Sequence, residues 1–361
     1  MITPSDDRKP QQFSDYLEGW TALTPMKKSV QGKKRDYEII KADSVDPDDL
    51  AAFLGDDSPG SSQRRAQSAS YYQWLVGPTS TGDASAWVAV SGDTVIGSLV
   101  ASPRTLRVGK SKIVAGKLEE MKTAQEWRGR GVLSALFQAI LKQGRSEGFD
   151  LLLGGPTSPQ SYPIYVNRLG FEAPFTIANN FAPVWLPVLD GLNKNVEFRT
   201  VGLGRLGDYA EFAEEVMSGS DVATVRDSDY LGWRYYDHPD RYESLEVLHG
   251  ERLIGFCTVK LILQRNLPTV NVVEMAARPG SDQCLVLSAV RKWAISKSAR
   301  FMVFWPPLGG GLSLARAGFL PRFGSGVRFV MRALSEAGDR SMDTLRKRDS
   351  WWLSMGDMLD I

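Results

Sequence analysis

From Ala86 to Ser102 the chain reads AWVAVSGDTVIGSLVAS, two runs of apolar and small residues on either side of Gly92 and Asp93. Two β-rich runs joined at a Gly-Asp pair predict a hairpin. KIVAGKLEEMKTA (112–124) predicts a further strand. After it Val132, Leu133, Leu136, Phe137, Ile140 and Leu141 recur at the spacing of one helix face. FDLLLGG (149–155) reads as a buried strand, followed by a short helix that ends at RLGF (168–171). Strands and helices mixed in this order predict an α/β domain, with a mixed α+β sheet flanked by helices.

The pattern then repeats. YYQWLV (71–76) returns as YLGWRY (230–235), and Ile96-Gly97 returns as Ile254-Gly255. Glu120-Met121 returns as Glu274-Met275, VLSAL (132–136) as VLSAV (286–290), and RLGF as RAGF (316–319). Matches in one order, at an offset that falls from 159 to 148, predict two copies of one domain. The expected divisions are a polar extension over 1–35, a first domain over 36–190, a second over 197–335 and a tail over 336–361. Lys27, Lys28, Lys33, Lys34 and Arg35 cluster at the end of the extension, and a solvated segment is the reading favoured for them.

The copies differ at one place. Aligned through VLSA, Arg128-Gly129-Arg130-Gly131 stands opposite Asp282-Gln283-Cys284-Leu285. Glycines at a helix entry let successive backbone N–H groups converge on an anion, at the positive end of the helix dipole. Two arginines add fork-shaped donors. The stretch lacks the ending of a nucleotide P-loop and the spacing of a dinucleotide fingerprint. It is expected to do something that only the first copy does.

Composition narrows the partners. The formal net charge is +1 over 361 residues, so no overall basic field draws in nucleic acid or an anionic membrane. Cys257 and Cys284, with His238 and His249, supply neither a disulfide framework nor a zinc site, and no metal is expected. The N-terminus has no apolar signal core and no apolar run reaches spanning length, which makes a cytoplasmic protein the expectation. Trp74 and Trp233 occur in both copies and read as core anchors. WPPLGGG (305–311) reads as a loop. The tail, with SWWLSMGDMLDI (350–361), is too apolar to hang free, and docking could bring Asp357 or Asp360 to a substrate pocket.

EEMKTAQEWRGRGVLSAL, with the hairpin before it and a strand and SYPIYVNRLGF after it, resembles the acyl-CoA site of the GNAT N-acyltransferase superfamily. The family pattern R/Q-x-x-G-x-G/A is met by Arg128, Gly129, Arg130, Gly131 and Val132, with Leu133 in place of the final small residue. The resemblance spans roughly residues 36–190 and, in degenerate form, 197–335. It implies acetyl-CoA as co-substrate, its diphosphate on the amides of 128–133 and its pantetheine along a bulged strand at Met121, Lys122 and Thr123. It also implies a strand carboxylate as base, where family spacing favours Glu119. Glu120, repeated as Glu274, then takes a structural role. Adjacent strand residues point to opposite faces, so at most one of the pair acts directly. A tyrosine before LGF is the implied acid. The usual position holds Val166, leaving Tyr165 first and Tyr162 second, and Ser158 stands nearest a family asparagine.

The expected reaction is acetyl transfer to a primary amine of a small molecule such as an amino sugar, with the second copy shaping the acceptor pocket. A weaker resemblance, carried by YLGWRY and the tail, points to GNAT-like proteins of surface-polysaccharide pathways. A Fem-type aminoacyl transferase and a non-catalytic CoA-binding module are the alternatives. The sequence does not set the oligomeric state.

Overall fold

The computed structural model describes residues 36–55, 69–155, 161–186, 196–306 and 311–358. The basic extension, Ser158, Asp360 and residues 307–310 of the glycine-rich loop lie outside them. The described residues form a mixed α/β fold built on one sheet of 14 strands.

The first strands are β1 (Glu38–Lys41), β2 (Ser85–Ser91), β3 (Thr94–Val108), β4 (Ser111–Thr123), β5 (Leu151–Gly154) and β6 (Glu172–Pro183). The expected hairpin is β2–β3, turning at Gly92 and Asp93. The same series returns as β7 (Val196–Thr200), β8 (Val222–Thr224), β9 (Glu243–His249), β10 (Arg252–Gln264), β11 (Leu267–Ala277), β12 (Phe301–Phe304) and β13 (Leu320–Ala333), before β14 (Trp351–Trp352). Along the sheet the order is β1-β2-β3-β4-β5-β13-β6-β12-β11-β10-β9-β7. Matching β7 and β9–β13 to β1–β6 in turn makes this order a palindrome in which the last strands have changed places. β13 pairs with β5, and β6 pairs with β12. The sheet therefore runs unbroken across the 190–197 junction.

The repeated Ile-Gly has a packing cause. A Cβ at Gly97 would lie 2.8 Å from Val132 Cγ1, and one at Gly255 would lie 2.6 Å from Val286 Cγ2. Each glycine lets a helix, Val132–Ser146 or Ser281–Ser296, settle onto its hairpin strand. One core gathers around the first helix and a second around its counterpart. The largest core lies on the opposite sheet face and joins both halves through Trp74, Trp233, Trp351 and Met358. The tail is built in as well. β14 runs parallel to β8, which pairs with β3.

Candidate active site

Two departures from regular strand pairing shape the site. β4 pairs with β5 only through residues 115–117 and 151–153, yet continues to Thr123, so the two strands part as a wedge. Between Val100–Glu119 and Ser98–Lys122 the β3–β4 ladder slips, so Glu120 and Met121 together oppose Leu99. At this bulge Glu120 takes φ 47°, and Ser98 Oγ donates to its carbonyl at 2.7 Å. A left-handed glutamate is unfavourable by about 1 kcal/mol or more, a strain of the kind found at functional sites. Met121, Lys122 and Thr123 follow, all half-buried. The Lys122 ammonium donates to the Phe53 and Leu54 carbonyls at 2.5 and 3.2 Å, which leaves backbone as what this stretch offers to the wedge.

At the end of β4 the chain turns into the helix Val132–Ser146 through two left-handed glycines, Gly129 at φ 78° and Gly131 at φ 87°. Both are exposed. A Cβ on Gly129 would meet nothing within 4 Å, and one on Gly131 only the Tyr37 hydroxyl at 3.7 Å. The first helical bond runs from Ala135 N–H to the Gly131 carbonyl, so the amides of 132–134 head the helix without an intrahelical carbonyl, whereas Arg128 and Arg130 N–H donate to the Gln125 and Trp127 carbonyls at 3.2 and 3.4 Å. Arg128 Nε donates to the Thr123 carbonyl at 3.3 Å, and the Arg130 guanidinium lies 4.9 Å from the Trp127 ring centre. Val132 is buried against Gly97, and Leu133 is half-buried.

The second half closes the matching place. Its helix begins at Ser281, so Asp282, Gln283, Cys284 and Leu285 are buried helical residues rather than an open turn. Asp282 occupies the positive helix end, held by Arg252 at 3.1 Å and Arg278 at 3.8 Å. The glycines are thus dispensable only where the extra helical turn forms. In the first half they hold the turn open.

The strand carboxylates fall differently from the sequence alignment. Counted from Gly97 and Gly255 along the hairpin, Val100 corresponds to Thr258. Val100 faces Glu119 and Thr258 faces Glu274. Glu274 is therefore the register counterpart of Glu119, not of Glu120, because the two ladders slip at different residues. The repeated letters align Glu274 with Glu120, whereas the strand pairing aligns it with Glu119. Both carboxylates are buried and paired. Glu119 accepts from Lys117 Nζ and Ser102 Oγ, and Arg104 Nη2 lies 3.7 Å away. Glu274 takes Arg226 Nε at 2.8 Å, Tyr235 Oη at 3.1 Å and Ser354 Oγ at 3.0 Å. Glu120 is half-buried, and the Tyr71 hydroxyl donates to its Oε1 at 3.4 Å.

Tyr165 lies buried in a wide helical turn (Ile164–Arg168), edge-on to Phe171 at 5.1 Å. Its hydroxyl is held well above the ordinary phenol range, by burial first and by the Glu119 charge second, so the fold brings these two residues within electrostatic reach. Tyr162 sits half-buried under the Arg328 guanidinium at 4.0 Å. The tail aspartate goes elsewhere. Asp357 is buried against Arg226 at 2.7 Å, and the neighbouring Met358 packs beside Gly155 at the end of β5.

Lys117, Ser102, Arg104 and Tyr71 escaped the sequence reading. Lys117 had a signal, since two residues before Glu119 on a strand puts it on the same face. The others reach the site across the ladder or from a helix, which spacing does not encode. Arg104 also lies 4.5 Å from the ring centre of Trp233, from the second half. Among the described residues no cluster of His, Cys, Asp and Glu could hold a metal ion, and no helix is long and apolar enough to cross a membrane.

Comparison with known proteins agrees with this geometry. A search of curated proteins finds no match. A GCN5-related N-acetyltransferase from Anabaena variabilis superposes with a TM-score of 0.60 at 14% identity, over 84% of this chain and 74% of that one. A conserved protein from Enterococcus faecalis, described as a probable N-acyltransferase, gives 0.59 at 14% identity, over 84% and 73%. Saccharomyces cerevisiae N-myristoyltransferase with bound myristoyl-CoA gives 0.62 at 10% identity, over 92% and 90%. At these identities the likeness establishes the fold. Residues 51–173, which hold the bulge, the wedge and the glycine turn, match the acetyltransferase (GNAT) domain family.

Proposed function

We propose that this protein is an N-acyltransferase that moves an acetyl group from acetyl-CoA to a primary amine of a small molecule, such as an amino sugar. The observation that carries the reading is the exposed left-handed turn at Gly129 and Gly131. It opens the start of a 15-residue helix beside the bulged strand, whereas the second half's helix is entered through a single positive-φ glycine, Gly280, followed by a buried first turn. The amides of 129 and 131–133 would hold the diphosphate, with Arg128 and Arg130 adding positive charge. The backbone of Met121, Lys122 and Thr123 would line the pantetheine in the wedge.

Acetyl-CoA supplies an acyl group already activated as a thioester. The chain must then take a proton from the acceptor's ammonium, so that the neutral amine attacks the thioester carbonyl, and stabilise the departing thiolate. Glu119 has its oxygens committed to Lys117 and Ser102, with Arg104 beside them. Glu120, at the bulge and half-buried, is the better placed acceptor of the amine proton, and Glu119 serves as the fixed charge behind it. Tyr165 keeps its phenolic proton throughout neutral pH and acts as a hydrogen-bond donor toward the sulfur. The second half supplies Trp233, whose ring centre lies 4.5 Å from the Arg104 guanidinium that stands beside Glu119.

The deciding experiment is a calorimetric titration with acetyl-CoA, followed by assay of thiol release against a panel of amines. One site per chain and amine-dependent thiol release support the reading. Two equivalent sites or none would refute it.

A further inference from the structure

Proteins of this fold include one that binds myristoyl-CoA, so the length of the acyl group is not fixed by the fold. At the end of β5 the packing is tight. Past Leu153 the strand leaves β4, and its next residues, Gly154 and Gly155, form the far wall of the wedge. Both faces of that wall are closed. A Cβ at Gly154 would lie 2.8 Å from Tyr165 Cε1 and 3.0 Å from a Val330 methyl. A Cβ at Gly155 would lie 2.9 Å from Val327 Cγ1 and 3.3 Å from Met358 Cε. A methyl added at either glycine would overlap a neighbour, Tyr165 Cε1 at Gly154 and Val327 Cγ1 at Gly155, while Met358 Cε would have to give by a few tenths of an ångström.

The closing groups are held in place. Met358, Val327 and Tyr165 are each 4% exposed, and Val330 is fully buried. Met358 ends a short helix (Met355–Met358) that is pinned twice over. Arg234 Nε donates to the Gly356 carbonyl at 3.2 Å, and Asp357 is locked to Arg226 at 2.7 Å. A methionine alone is an adaptable wall, but one on an ion-paired segment behind a strand-borne valine is not.

We infer that Met358 and Val327 form an acyl-length stop, which restricts this enzyme to short acyl thioesters of about two or three carbons. The inference rests on the acyl-CoA reading above, and it makes the C-terminal tail a determinant of co-substrate choice. Each methylene beyond the stop must displace packed atoms, and overpacking of that kind is unfavourable.

The test measures binding, not turnover. Acetyl-, butyryl-, octanoyl- and myristoyl-CoA are titrated calorimetrically into the full chain, its Met358→Ala variant and its Val327→Ala variant, with unacylated CoA as reference. The wild type should bind octanoyl-CoA at least about tenfold more weakly than acetyl-CoA, and either alanine variant should narrow that ratio about tenfold, the scale set by a methylene or two in a tight pocket. Wild-type affinity that is level or rising with chain length would overturn the stop, and it needs no variant to be seen. Unchanged ratios in folded variants would overturn it too. If CoA itself fails to bind, the acyltransferase reading falls and the length stop with it. If CoA and every acyl-CoA bind alike, only the stop falls.

Discussion

Trp74 and Trp233, which hold the same place in the two repeats, stack on each other with ring centres 4.9 Å apart and planes 15° from parallel. Trp74 Nε1 also donates to the Trp233 carbonyl at 3.0 Å. The repeat thus closes on itself, each copy's anchor being the other's neighbour. The exchanged strands make the same point, since β5 and β12 each need a partner from the other half.

A chain of residues 36–190 should therefore not fold alone. It would lose β13 beside β5 and leave Trp74 without its partner. Circular dichroism and amide NMR of that fragment should show no cooperative unfolding and poor dispersion. A dispersed spectrum with a sharp melt would mean that the interleaving is not needed for stability.

Gly131→Asp places a side chain at φ 87° and a negative charge at the proposed diphosphate site. The left-handed backbone alone should lower stability by about 1 kcal/mol. Acetyl-CoA affinity should fall by more than a hundredfold, whereas Gly131→Ala should show the strain with a smaller binding loss. Thermal melts beside calorimetry separate the two effects. Equal binding losses in both variants would argue for backbone shape over charge.

The carboxylates have opposite expectations. Glu120→Gln should lower turnover by roughly 10²–10⁴-fold, the usual range for a lost general base, with acetyl-CoA affinity and melting temperature nearly unchanged. Glu119→Gln leaves Lys117 buried without a full countercharge and should act chiefly on stability, by about 3–5 kcal/mol. Rate and melt are measured on both proteins. A stable Glu119→Gln protein with no turnover would restore Glu119 as the base.

Asp357 tests the tail. Burial works to raise the pKa of its carboxyl, but Arg226 and the hydrogen bonds from Ser354, Thr224 and Arg226 prevail and hold it below the ordinary value. A carboxyl depressed in the folded state stabilises the fold above its unfolded pKa, about 3.9. That contribution is lost as the pH falls from there through the folded value. Denaturant titrations from about pH 6 to about pH 2 should show this acid-side loss in the wild type and a shallower one in Asp357→Asn. The variant should also be about 3–5 kcal/mol less stable at neutral pH, because Arg226 loses one of its two buried partners. Equal slopes would mean that Asp357 does not titrate in this range.

What the sequence could determine was local or periodic. Alternation predicts β2–β3, helical spacing predicts Val132–Ser146, and the repeat shows the duplication, because each depends on residues a few places apart or on recurrence of the same letters. The difference at 128–131 also pointed to the open turn, since glycines at a helix entry carry a conformational meaning of their own. Three matters belonged to the tertiary structure alone. Strand exchange at the centre of the sheet is a choice between pairings of equal local quality. The bulge at Glu120 shifts the ladder by one residue, and in a period of two such a shift decides which carboxylate is buried. The stacking of Arg104 on Trp233 and the packing of Met358 beside Gly155 arise between segments more than a hundred residues apart, for which no spacing in the chain provides a sign.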